Sequence, residues 1–158
     1  MINIRNAIQV DIEQFKVVIE SSILAFCKDY YTTDQIDALL GQYPDAALYT
    51  KWIDDRVLIV AENENSVIGF AQYNPENNSV EAIHVSPKYA CNGIGSKLVK
   101  KIEEIAKSQG ADKITLGASL NAVDFYAKCG YRKKEITEYK CNNGITLKTV
   151  VYEKEFTN

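Results

Sequence analysis

Between Val10 and Cys27, apolar residues recur at Ile12, Phe15, Val18, Ile19, Ile23 and Phe26. That three-to-four spacing predicts a helix with one buried face. Ahead of it, Ile2-Asn3-Ile4-Arg5 alternates apolar and polar, the period of a short strand. Thr32 followed by Gln35 predicts a helix start closed by a capping box, with Ile36, Leu39 and Leu40 as its apolar stripe and Gly41 at its end. A further helical stretch, Asp45 to Ile53, brings Leu48, Tyr49 and Trp52 together.

From Val57 the period changes. Val57 to Ala61 and Val67 to Tyr73 flank the polar turn Glu62 to Ser66 and read as a hairpin, and Val80 to Val85 reads as a third strand stopped by Pro87. The helical period returns from Gly93 to Ser108, with Ile94, Leu98, Ile102, Ile105 and Ala106 on one face and Gly110 as the stop. A strand from Lys113 to Leu116 follows, then a short helix from Ala122 to Lys128 closed by Gly130. The runs Tyr131 to Lys140 and Ile145 to Phe156 flank Asn142-Asn143-Gly144, a hairpin turn. Strand, helix and strand around Gly93 to Ser108 form a βαβ unit, so those two strands should run parallel with a right-handed crossover. The expectation is one α/β (α+β) domain over residues 1–158.

Composition narrows the function. The 158 residues suit one domain, with 46% hydrophobic and 25% charged residues. The longest apolar runs, Ile23 to Cys27 and Val57 to Ala61, fall far short of the ~20 residues that span a bilayer. Met1 to Asp11 carries no charged-then-apolar secretory pattern, so a cytoplasmic protein without a membrane partner is expected. The net charge of −3 disfavours binding to the phosphates of a nucleic acid. Cys27, Cys91, Cys129 and Cys141 form no C-x-x-C pair and the single histidine, His84, lies apart from them, so no metal site is expected.

Two stretches carry the chemistry. In Val85-Ser86-Pro87-Lys88-Tyr89-Ala90-Cys91-Asn92-Gly93-Ile94-Gly95-Ser96 a strand ends and glycines open a helix, whose free N–H groups suit a phosphate. Taken alone, the glycines serve equally well for tight packing at a strand-to-helix turn. The second stretch, Ser119-Leu120-Asn121-Ala122-Val123-Asp124-Phe125-Tyr126-Ala127-Lys128-Cys129-Gly130-Tyr131, lies just beyond the next strand. With Val85, Pro87, Gly93 and Gly95 in the first, and Ala122, Phe125, Tyr126, Gly130 and Tyr131 in the second, the chain resembles the GNAT superfamily of N-acetyltransferases, which use acetyl-CoA. Ala90 stands where the family has Gln or Arg, Asn92 where a basic residue is frequent, and Ser119 where the family has Asn.

That resemblance implies a mixed, mostly antiparallel seven-stranded sheet with helices on both faces and a central parallel βαβ cofactor site. It implies acetyl-CoA contacts from Ile83, His84, Val85, the loop Ala90, Cys91, Asn92, Gly93, Ile94, Gly95 and Ser96, and from Ser119 and Tyr126. Tyr126 matches the tyrosine that protonates the leaving thiolate; its alternative is to pack the short helix on the sheet. Glu81 holds a place from which family members present a general base; its alternative is a solvated strand charge. Strict alternation puts Glu81, Ile83 and Val85 on one face and Val80, Ala82 and His84 on the other, unless a bulge shifts the register. Acceptor contacts are expected from Tyr30, Tyr31, Trp52 and Glu81. Acids concentrate between Asp29 and Asp55 while Lys97, Lys100, Lys101 and Lys107 line the helix, a division that suits a small cationic amine and an anionic cofactor. A homodimer joined through C-terminal strands is common in that superfamily. The rival reading is a non-catalytic acyl-CoA-binding or regulatory module, and a generic nucleotide-binding turn is a third.

Overall fold

A computed structural model describes residues 1–157. Its sheet contains β1 (Asn3–Asn6), β2 (Leu58–Asn63), β3 (Ser66–Asn74), β4 (Ser79–Val85), β5 (Lys113–Ser119), β6 (Arg132–Lys140) and β7 (Thr146–Glu155). The spatial order is β1-β2-β3-β4-β5-β7-β6, and every neighbouring pair is antiparallel except β4 with β5. Helices α1 (Ile12–Phe26), α2 (Thr33–Leu40) and α3 (Ala46–Asp54) cover one face; α4 (Ile94–Ser108) and α5 (Val123–Lys128) cover the other. The expected sheet and two-sided layering are both present.

The apolar patterns explain these layers. Val57 to Ala61 is a continuous apolar run because β2 is covered on both faces: Ile59 and Ala61 join the α4 core, Leu58 and Val60 the α1 core. Thr32 accepts the Gln35 N–H at 3.2 Å while Gln35 Oε1 accepts the Thr32 N–H at 3.0 Å, which is the expected capping box.

Sequence order did not predict that β7 would slot between β5 and β6. The reason is chemical. In β7, Leu147, Val150 and Tyr152 are buried, whereas every residue of β6 is exposed. The charged strand, rich in Lys and Glu, takes the edge, where such residues discourage pairing with another chain. Strand β5 also runs past Leu116, because Gly117, Ala118 and Ser119 pair with Val151, Val150 and Thr149 of β7.

Candidate active site

Strands β4 and β5 pair only at Ser79–Thr115 and Val80–Leu116. Beyond that point β4 continues with β3 as far as Val85–Gly69, and β5 continues with β7 as far as Ser119–Thr149. The facing edges of the two parallel strands therefore part, leaving backbone donors and acceptors of β4 without ladder partners on that side.

A β-bulge marks the parting. Tyr73 faces Val80 and Gln72 faces Ala82, so Glu81 has no opposite residue. The extra residue breaks strict alternation: Val80, Ile83 and Val85 pack towards α4, while Ala82 and the His84 ring lie towards α1. The expected grouping of Val80 with Ala82 and His84 is thereby corrected, and Glu81 is the unopposed residue of the bulge. The Glu81 carboxylate is exposed and bonds back to the hydroxyl of Ser79 and, at 3.4 Å, to Asn74.

His84 is the residue most changed by its surroundings. Its ring packs on Phe70 with centroids 5.4 Å apart, and Nδ1 lies 2.8 Å from Ser22 Oγ on α1. Burial pushes its pKa down to about 4, so the ring is neutral at physiological pH. Across the parting, alternation sends Gly117 of β5 to the same side, where a Cβ would meet nothing within 4 Å. Ser22 and Gly117 were not singled out from the sequence, although Ser22 sits at helical spacing among Val18, Ile19 and Ile23, a polar break in an apolar stripe.

The loop after β4 closes as a 3-10 turn over Pro87–Tyr89, and Asn92 donates to the carbonyls of Tyr89 at 3.2 Å and Ala90 at 3.1 Å. Asn92 thus builds the loop in place of the basic residue. Gly93 caps α4 at φ 75°, a left-handed conformation that suits glycine, with open space where a Cβ would stand. No side chain caps α4, and its first internal bond is Lys97 N–H to Gly93 O at 3.1 Å. The N–H groups of the first turn are consequently free for an anion. Gly95 serves differently: a Cβ there would stand 3.1 Å from Phe125 Cζ, so the two motifs pack directly on each other.

Tyr126 on α5 is buried among Phe125, Tyr131 and Tyr152, with ring centroids 4.9, 5.9 and 6.4 Å away. Burial raises its pKa well above the ordinary tyrosine value, and no hydrogen bond offsets that. The hydroxyl stays protonated at any physiological pH.

The proposed acceptor residues are scattered. Tyr30 is exposed and, with Tyr31, Gln35, Leu120, Glu138, Thr146 and Lys148, lines a depression of about 250 Å³ near the end of β5. The Tyr31 hydroxyl accepts the Leu120 N–H at 2.9 Å and donates to Lys148 O at 2.7 Å, so it is fully used in tying the wall together. Tyr31→Phe should cost about 1–3 kcal/mol in urea unfolding, since it strands a half-buried N–H and carbonyl. Trp52 is half-buried and packs against both cores. Its carbonyl accepts the Val57 N–H, and Val57 O accepts that of Tyr73, which sits opposite Val80 at the start of β4. The acids of the α2–α3 region are exposed, and some are committed locally: Asp45 caps α3 through Leu48 N at 2.8 Å, and Asp55 pairs with Lys51 at 2.6 Å.

Comparison with known proteins agrees with this geometry. The family model described as acetyltransferase (GNAT) family matches residues 24–131. An uncharacterized N-acetyltransferase of Methanocaldococcus jannaschii is 27% identical over 150 residues, covering 85% of this chain and 62% of that protein. Thialysine N-epsilon-acetyltransferase of Sus scrofa is 35% identical over 72 residues, 44% of this chain and 41% of that protein. The chain thus spans about three-fifths or less of the length of these relatives. Among solved structures, a GCN5-related N-acetyltransferase from Rhodopseudomonas palustris superposes with a TM-score of 0.89 at 25% identity, covering 98% of this chain and 95% of that one. The PaiA N-acetyltransferase from Thermoplasma acidophilum, solved with coenzyme A, gives 0.79 at 20% identity over 99% of both chains. With its parted parallel strands, open glycine turn and buried tyrosine, the chain belongs to the acetyltransferase (GNAT) family.

Proposed function

We propose that the protein is an acetyl-CoA-dependent N-acetyltransferase that acetylates a primary amine of a small molecule by direct transfer. One observation carries this reading: β4 and β5 pair only at Ser79–Thr115 and Val80–Leu116 and part beyond them, with the Gly93 turn following β4 along the chain and the Tyr126 helix following β5. The free N–H groups at the start of α4 suit the pyrophosphate of the cofactor, and Gly93 leaves the space beside them empty. The unpaired edge of Ile83 to Val85 suits an extended arm that adds hydrogen bonds as a strand would. When bound, acetyl-CoA supplies an activated acyl thioester. A backbone N–H of Val85 suits the oxygen that gains charge during transfer. Tyr126 supplies the proton that the departing sulfur requires.

Two curated relatives are named for small amines, thialysine and glucosamine 6-phosphate. Thialysine carries a net positive charge at neutral pH, in keeping with exposed acids at Asp29, Asp34 and Asp37, whereas the phosphate of glucosamine 6-phosphate makes that amine a net anion. Isothermal calorimetry with acetyl-CoA and ADP tests the cofactor, and thiol release with thialysine and glucosamine 6-phosphate tests the transfer. Acetyl-CoA should bind at least tenfold tighter than ADP, about 1.4 kcal/mol, because the arm adds contacts along β4. No binding at millimolar acetyl-CoA sinks the reading. Binding without turnover of either amine would favour the non-catalytic acyl-CoA-binding module.

A further inference from the structure

We infer that His84 accepts the proton of the acceptor amine and that Ser22 fixes its tautomer for that task. The inference rests on the acetyltransferase reading above. Ser22 Oγ lies 3.0 Å from Ile19 O and 2.8 Å from His84 Nδ1. A serine hydroxyl has a single proton, and the carbonyl of Ile19 can only accept. Both contacts are hydrogen bonds at once only when the proton points to Ile19 and the Ser22 oxygen accepts from Nδ1–H, the arrangement that the proposed role requires. A neutral imidazole protonated on Nδ1 carries its lone pair on Nε2. That atom has no protein partner among the described residues.

The placement suits the acceptor. His84 stands on the length of β4 whose outer edge is unpaired, on the side shared with Ala82 and Gly117. A Cβ added to Gly117 would meet nothing within 4 Å. Glu81 has a different setting, exposed and bonded back to Ser79 and Asn74 at the start of the strand. The elements packed on His84 present Ser22 and Ile19 from α1 and Phe70 from β3, none of them charged. Burial alone depresses its basicity. The chemistry then balances. The acceptor's ammonium first gives one proton to solvent; the neutral nitrogen then forms a bond to the acetyl carbon, the carbon–sulfur bond breaks, and its electron pair leaves with sulfur. His84 Nε2 takes the N–H proton while Tyr126 gives its own to the thiolate. An imidazolium in this apolar setting readily releases its proton, and a buried phenolate readily regains one, so solvent restores both groups.

The chain has one histidine, so ¹⁵N-histidine labelling of the whole protein reads His84 alone. The expected spectrum shows Nδ1 protonated and Nε2 bare, unchanged between pH 7 and pH 5. In Ser22→Ala the proton should move towards Nε2, whereas Ser22→Thr should restore the wild-type pattern. With the amine turned over by wild type, thialysine or glucosamine 6-phosphate, His84→Gln should lower kcat about a hundredfold or more, a larger factor than any change in acetyl-CoA affinity. Ser22→Ala should lower kcat more than it raises KM. A wild-type Nε2 that carries the proton overturns the inference. So does a His84→Gln enzyme within threefold of wild-type kcat, or a Glu81→Gln enzyme that loses more rate than His84→Gln. If wild type binds acetyl-CoA but acetylates neither amine, the acetyltransferase reading fails, and this inference with it.

Discussion

Tyr126→Phe should reduce kcat at least a hundredfold while acetyl-CoA affinity and the unfolding midpoint stay near those of the wild type. The hydroxyl is the only group removed, and positioned proton transfer contributes ~10²–10⁴-fold. Among the described residues the phenolic oxygen has no hydrogen-bond partner, so its loss strands none, and the ring keeps its packing on Phe125, Tyr131 and Tyr152. The pH dependence follows from the same burial. A proton donor stops working as pH rises through its pKa, and desolvation has moved that pKa up from 10.0. The alkaline limb of kcat due to Tyr126 should accordingly lie above pH 10. An alkaline limb near pH 8 that vanishes in Tyr126→Phe would contradict the burial argument. Full kcat in Tyr126→Phe would assign the residue to packing alone.

The elements were legible in the sequence wherever one physical signal dominated. The capping box at Thr32, the amphipathic α4 and the Asn-Gly turn between β6 and β7 are local patterns, and each appears within a residue or so of its predicted bounds. The glycine turn and the Tyr126 helix were legible as a pair, because two motifs at a fixed separation constrain each other. What escaped was decided by tertiary contact. Glu81 reads as an ordinary alternating position, and only the pairing of β3 with β4 shows that it is the unopposed residue of a bulge. That one insertion sends Val80 to the side of Ile83 and Val85. Trp52 and Tyr31 attracted attention as aromatics among acids. Aromatic composition says nothing of distance from the parting strands, and the hydroxyl of Tyr31 turned out to be a tether. The placement of β7 inside β6 was readable in principle, since one strand carries Leu147, Val150 and Tyr152 and the other is charged at six of its nine positions.

Gly95→Ala should change sign between two backgrounds. In the wild type the new Cβ would stand 3.1 Å from Phe125 Cζ and 3.2 Å from Cε2, closer than an ordinary contact. Overpacking of this kind costs ~1–3 kcal/mol, while Ala in place of a helical Gly gains up to ~1 kcal/mol. The steric cost should win, giving a net loss of about 1 kcal/mol in urea unfolding. In Phe125→Ala the ring is gone and only the propensity gain remains, so the same change becomes neutral or stabilising. The difference between backgrounds is the coupling energy of the two motifs, expected at about 1–2 kcal/mol. Activity should report the same contact, because displacing Phe125 shifts its neighbour Tyr126, and kcat should fall in Gly95→Ala more than acetyl-CoA affinity does. Equal effects of Gly95→Ala in both backgrounds would show that the glycine is there for the close approach of a ligand to the backbone, and that the two motifs meet without depending on each other.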